Sequence, residues 1–106
     1  MYAQLTYFDR PRSPEQLAAE DFAVQHRIVP AALAVPGNIR TYSLRRDDGS
    51  AVVVSIAETE QALLDTQKAI MSSKLLPGED PALLTGADRV EICAVHEVFE
   101  LGEVRS

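Results

Sequence analysis

Two strand-like runs, residues 39–46 and 50–56, meet at Asp47-Asp48-Gly49 near the middle of the chain. Asp-Gly between β-favouring segments is a strong hairpin signal, because glycine supplies the positive φ that the tightest connections need. A hairpin there fixes two antiparallel neighbours and obliges the rest of the chain to build outward from them. The second run contains Ala51-Val52-Val53-Val54, apolar on both faces, and reads as a central strand. The first carries Arg40, Arg45 and Arg46 and reads as a partly exposed one.

Upstream, residues 2–8 alternate, with Tyr2, Gln4, Thr6 and Phe8 on one face and Ala3, Leu5 and Tyr7 on the other. Pro11 ends that strand, since proline cannot donate to a ladder. A helix start follows: Ser13 caps, Pro14 suits the first helical position, and Gln16 completes a capping box. Glu15 and Glu20 lie toward the positive end of the helix dipole. Ala18, Phe22, Val29 and Leu33 recur at helical spacings and predict a buried stripe. Pro30 implies a kink or a short second helical piece, and Pro36-Gly37-Asn38 ends the element.

Downstream, Thr59 caps a second helix with Glu60 in its first turn and Ala62, Leu63, Ile70 and Met71 along it. Ser72-Ser73-Lys74 reads as its fraying end. Residues 75–88 hold two prolines and two glycines and read as a long excursion with a helical turn at Ala82-Leu83-Leu84. Residues 89–101 form the last predicted strand. Val90, Ile92, Ala94, His96 and Val98 share one face; Glu91, Cys93, Val95, Glu97 and Phe99 share the other. The tail from Gly102 to Ser106 reads as loose.

The order is β-α-β-β-α-β. Two right-handed crossovers in that order give an α+β ferredoxin-like plait, a four-stranded antiparallel sheet with both helices on one face. The 106 residues make one domain, 1–106, able to bury about two-thirds of its unfolded surface. Sixteen acidic and ten basic side chains give a net charge of −6, which excludes a phosphate-tracking nucleic-acid surface. RNA-recognition plaits share the strand order but need exposed aromatics in a basic setting. A lone Cys93 excludes an internal disulfide. No apolar run approaches the ~18 residues of a membrane span and the start is not a signal peptide, so a cytoplasmic protein without a membrane partner is expected.

With both helices on one side, the other sheet face is bare. By alternation it holds Ile39, Thr41, Ser43, Ala51, Val53, Ser55, Cys93, Val95 and Phe99, too apolar for a solvent face. A second copy packed face to face in a homodimer covers it; the alternative is a monomer whose 75–88 excursion folds back over the sheet.

Several stretches carry a resemblance to a known family: the opening strand Tyr2–Phe8, Ala-Val-Pro-Gly-Asn at 34–38 before Ile39-Arg40-Thr41-Tyr42, Arg-Asp-Asp-Gly at 46–49, and Ile-Ala-Glu-Thr-Glu-Gln-Ala-Leu at 56–63. Together they resemble the dimeric α+β barrels of the antibiotic-biosynthesis monooxygenase-like superfamily across nearly the whole chain. The resemblance implies a homodimer with one ligand cleft per subunit between helices and sheet. It also implies a small apolar or aromatic ligand, and either cofactor-independent oxygenation of phenol- or quinol-like compounds or haem degradation. Haem-degrading members carry an Asn near the end of the first strand and a Trp in the second helix. Tyr7 and Thr66 stand at those places here, and the chain has no Trp, so oxygenation without a cofactor is the activity the resemblance leaves.

Oxygenation without metal or flavin needs a deprotonated, electron-rich substrate in a dry pocket, so His, Tyr and Arg are the residues of interest. His96, alone on an apolar strand face assigned to the helices, suits a base with a pKa of about 6.5 in the free side chain; a backbone-bonded core histidine is the plain alternative. Tyr7 is expected to pack under the helices with its hydroxyl reaching for a partner. Tyr42 and Arg40 share a face of the second strand, where the guanidinium suits an enolate or simply guards an edge. Thr66 in the second helix and His26 in the first complete the ligand-binding candidates. Cys93 reads as a small packing residue, and two histidines 70 residues apart argue against a metal site. An oxygenase, a non-catalytic ligand-binding barrel and an interaction module all remain open.

Overall fold

The computed structural model describes residues 1–102. Four strands, β1 (Tyr2–Phe8), β2 (Asn38–Arg45), β3 (Ala51–Ala57) and β4 (Arg89–Ala94), form one antiparallel sheet in the order β2-β3-β1-β4. The central hairpin forms as its sequence predicts. Gly49 takes φ +85° and donates to the Arg46 carbonyl at 2.9 Å, while the Asp48 carboxylate accepts from the Ser50 amide and hydroxyl. Those two bonds hold the Asp48 carboxyl below the ordinary aspartate range. Beyond the hairpin β2 lies at the sheet edge, and Ile39 is an extra residue between Asn38, opposite Ala57, and Arg40, opposite Ile56.

Helix α1 (Pro14–Ala23) begins with the complete Ser13–Gln16 capping box. Pro30 has no N–H to give the His26 carbonyl, and the turn before it widens: Val24–Ile28 is π-helical, with the Val29 amide reaching the Val24 carbonyl. Helix α2 (Val29–Leu33) continues from it. The predicted buried stripe does not form: Ala18 and Phe22 are exposed on α1, and past the wide turn, which shifts the helical phase, Val29 is exposed too and Leu33 is 80% exposed. Helix α3 (Glu60–Ser72) is capped by the Thr59 hydroxyl, which accepts from the Ala62 amide at 3.1 Å. The 75–88 excursion holds a single 3₁₀ turn, Pro81–Leu83. Among the described residues, no helix is long and apolar enough to cross a membrane.

The buried apolar side chains are few. Ala57, Ala62 and Leu63 pack with Tyr2 and Ile92 where α3 meets the sheet, and Ala23 is buried on α1. Gly37, at φ +96°, lets the chain enter β2 against α3: a Cβ there would lie 3.0 Å from that of Ala62. Arg12 locks the opposite corner. Its side chain, 3% exposed, bonds Glu20 of α1 at 2.8 Å and the Arg10 carbonyl at 2.7 Å, while its amide donates to the Asp48 carbonyl.

Register assigns the two faces. Thr6 lies opposite Val53 and Val90, and Val53 opposite Ser43. The helix-facing side therefore carries Gln4, Thr6 and Phe8 of β1, Thr41 and Ser43 of β2, Ala51, Val53 and Ser55 of β3, and Val90 and Ile92 of β4. The open side carries Ala3, Leu5 and Tyr7, then Arg40, Tyr42 and Leu44, then Val52, Val54 and Ile56, and Arg89, Glu91 and Cys93. Sequence alternation placed Val90, Ile92 and Cys93 on these same sides but inverted β1, β2 and β3. The last strand is also shorter than predicted: it ends at Ala94, and the Val95 amide turns to the Met1 carbonyl. Most of the predicted loose tail, residues 103–106, lies outside the described residues.

Candidate functional site

Between helices and sheet lies a cleft of about 840 Å³. Helix α1 buries only Ala23, and outside the helical segment it belongs to, it packs mainly against the Pro81–Leu83 turn. Arg12 holds the N-terminal side, and the π turn carries the chain across to α2 and α3. The floor is polar. Gln4, Ser55 and Thr41 stand in one cross-strand row, with the Thr41 hydroxyl donating to Ser55 Oγ at 3.2 Å. Thr6 and Ser43 flank Val53 in the next row, and Gln4 Nε2 donates to Thr6 Oγ1 at 3.3 Å. The roof is mainly apolar, with Ala23, Val24, Ile28, Ala32, Leu63 and Ile70 facing the floor.

Apart from Arg40, the charges at the cleft wall are neutralised in pairs. Arg45 of β2 bonds Asp21 of α1 at 2.8 Å at the hairpin end, an exposed pair that raises the Arg45 pKa. Glu20 is held by Arg12. Arg27 in the π turn grips Glu79 through Nε, at 3.2 and 2.9 Å to the two carboxylate oxygens, and through Nη2; its Nη1 donates to Ser73 Oγ. Glu79 is 1% exposed and also accepts from the Leu76 amide, and with Arg27 foremost these donors hold its carboxyl below the usual glutamate range. This fork ties the 75–88 excursion to the first helical segment. At the far end the Asn38 amide donates to the Ala32 carbonyl and to Thr66 Oγ1, joining α2, β2 and α3.

Of the residues singled out from the sequence, the structure brings Thr66 into the cleft, where its hydroxyl also donates to the Ala62 carbonyl at 2.7 Å. Arg40 reaches the cleft rim from the edge strand. The others lie elsewhere. Tyr7 is on the open face, covered by the Arg89 guanidinium 3.8 Å from its ring centre. Tyr42 is also on the open face, its hydroxyl 3.0 Å from Arg40 Nη1, a contact that raises the Arg40 pKa. Tyr42 and Arg40 border a second, shallower hollow of about 380 Å³ with Ile39, Ile56, Val95 and Val98. His96 lies past the end of β4, its side chain 93% exposed and 3.1 Å from Glu97, because the strand stops before reaching it. His26 is exposed on the π turn and leans on the Phe22 ring at a centroid distance of 4.6 Å. Among the described residues, no cluster of three or more His, Cys, Asp or Glu is arranged to hold a metal ion.

Sequence reasoning passed over Gln4, Thr6, Thr41, Ser43 and Ser55. One signal for them was present: polar residues recur every second position along three neighbouring strands, which is a continuous stripe once register is known. Arg27 and Glu79 gave no such signal, being 52 residues apart.

No protein-family model matches the chain, and no curated protein matches it. Solved structures do. A monooxygenase from Streptomyces coelicolor in complex with nanaomycin D superposes with a TM-score of 0.61 at 18% identity, over 95% of this chain and 92% of that one. A cofactor-independent oxygenase from Streptomyces nogalater gives 0.59 at 18% identity, over 92% and 94%. A protein from Chloroflexus aurantiacus described as a candidate antibiotic biosynthesis monooxygenase gives 0.59 at 14% identity, over 95% and 98%. The chain shares its ferredoxin-like fold with these structures.

Proposed function

We propose that this chain binds an aromatic or quinol-like small molecule in the cleft and oxygenates it with O2, without metal or flavin. The observation that carries the reading is the cleft itself, a sheet floor with a polar stripe under an apolar helical roof. Such a pocket suits a flat ring system with oxygen substituents. The fold, shared with oxygenases from two Streptomyces species, supports the reaction class. In a balanced monooxygenation of this kind, one oxygen atom enters an activated carbon that gives up two hydrogens, and the other leaves with them as water. The chain works as a homodimer, since Leu5, Val52, Val54 and Ile56 make the open sheet face apolar.

His96 and Tyr7 carry no proton in this scheme. Among the described residues no His, Tyr, Cys or Lys lines the cleft, and its acidic residues are held by arginines. The substrate must therefore ionise by its own acidity, losing its proton to water, and the floor hydroxyls stabilise the anion. That same shortage of a free base favours a second reading, in which the barrel binds such a ligand without turning it over. Oxygen uptake with a panel of phenols and quinols, run beside direct binding measurements, separates the two. Uptake above buffer background with bound compounds supports the oxygenase. Binding without uptake rejects it in favour of the second reading, and absence of binding rejects both.

A further inference from the structure

We infer that Gln4 is the specificity-determining residue of the cleft and reads a hydroxyl donor on the ligand; the inference rests on the ligand-binding reading above. Gln4 sits at the centre of the sheet floor, on β1 between Ser55 of β3 and Ile92 of β4. Its Nε2 is used by Thr6 Oγ1, but its Oε1 is shut off from water and has no hydrogen-bond donor, alone among the buried side-chain polar atoms of the described residues. A buried carbonyl left without a donor is destabilising, and native interiors almost always avoid it. The side chain borders the cleft, and the terminal torsion of glutamine has a broad, shallow profile, so a small rotation presents Oε1 to a ligand.

The neighbouring groups fix what kind of ligand satisfies the row. Thr41 donates to Ser55 and Gln4 donates to Thr6. A hydroxyl carries one proton and two lone pairs, so Ser55 and Thr6 each keep an O–H to give; Gln4 keeps the second N–H of Nε2, and its Oε1 is the acceptor left without a donor. Two donors flanking one acceptor suit a ring bearing a hydroxyl beside a carbonyl or phenolate oxygen. The hydroxyl would donate to Gln4, and the second oxygen would accept from Ser55 or Thr6. A ring whose hydroxyl is replaced by an ether keeps its shape and its acceptors but leaves Gln4 unpaired. Discrimination between them of about tenfold or more is expected for one buried hydrogen bond.

The test uses 1-naphthol and 1-methoxynaphthalene as probes, whose fluorescence is uncluttered because the chain has no Trp. Wild type should bind 1-naphthol about tenfold more tightly than the ether. Gln4→Leu should bring the two affinities together by weakening 1-naphthol alone, and its melting temperature should equal or exceed that of wild type, because an unpaired acceptor is removed. Equal affinities in wild type, an unchanged preference in Gln4→Leu, or a clear drop in its melting temperature would each overturn the assignment, the last marking Gln4 as structural. If neither probe binds wild type, the cleft-binding reading falls and takes this one with it, whereas binding without preference leaves the cleft reading standing.

Discussion

Replacing Arg12 by methionine is expected to destabilise the fold by about 2 kcal/mol. The guanidinium is 3% exposed and makes two bonds that methionine cannot, one at 2.8 Å to Glu20 and one at 2.7 Å to the Arg10 carbonyl. A hydrogen bond to a charged group in a protein contributes about 1.5–3 kcal/mol. Glu20 is 25% exposed and regains water when its partner goes, so that bond is discounted to about 1 kcal/mol. The carbonyl bond contributes about 1 kcal/mol, and the methionine stem preserves most of the packing. For a chain of this length, unfolding entropy of about 2.1 cal/mol/K per residue converts the total to a fall in Tm of about 9 °C. Far-UV circular dichroism melts measure it directly. Arg12→Lys should recover about half, since an ammonium reaches one acceptor without the planar fork that serves both. Glu20→Gln combined with Arg12→Met should lose less than the two single effects together. A methionine variant melting within about 2 °C of wild type would refute the idea that this corner anchors the start of α1.

Two further outcomes follow from the same geometry. Because Arg27 holds the Glu79 pKa down, the stability that pair adds is fully present above the free glutamate pKa of about 4.3 and is lost as the pH falls through the lower folded value. Wild type should therefore exceed Glu79→Gln in denaturation midpoint at pH 7 and converge on it in acid; a gap that stays constant with pH excludes the linkage. In light scattering, wild type should show twice the 11.6 kDa chain mass, and Val54→Arg should fall to a single chain with its circular dichroism unchanged. Arginine in the middle of a covered apolar face would be desolvated without a partner. A wild-type mass of one chain, or a variant that stays dimeric, moves the interface elsewhere.

The elements were legible because their signals are local. Asp47-Asp48-Gly49, the Ser13–Gln16 box and Thr59 each act within four residues, and each forms as its sequence predicts. The site was less legible because it depends on register. Tyr7 and Gln4 belong to one alternating strand, and nothing in residues 2–8 alone says which set faces the helices. The Ile39 bulge and the end of β4 at Ala94 add local breaks that alternation does not foresee, and the second moved His96 off the sheet. Thr66 stands in the cleft, but its alignment with a tryptophan position put it among the candidates, and no physical pattern singled it out.

The inversion of the faces is itself informative. In a two-layer fold the helix-facing side of a sheet is normally its apolar side and the open side its polar one. Here Gln4, Thr6, Thr41, Ser43 and Ser55 lie under the helices, while Leu5, Leu44, Val52, Val54 and Ile56 point away from them. Burying those hydroxyls and that amide against packed helices would be unfavourable, so the helices stand off and a cleft results. Leaving the apolar residues in water would be unfavourable as well, and in the proposed homodimer a second chain covers them. One reversed alternation thus ties the two halves of the proposal together: the chain that needs a partner on one face of its sheet is the chain that has room for a ligand on the other. The two should fail together. A Val54→Arg variant that separates the dimer exposes the underside of the strands that form the cleft floor, so its affinity for 1-naphthol should drop along with its mass. A monomer that keeps full affinity would show the faces to be independent.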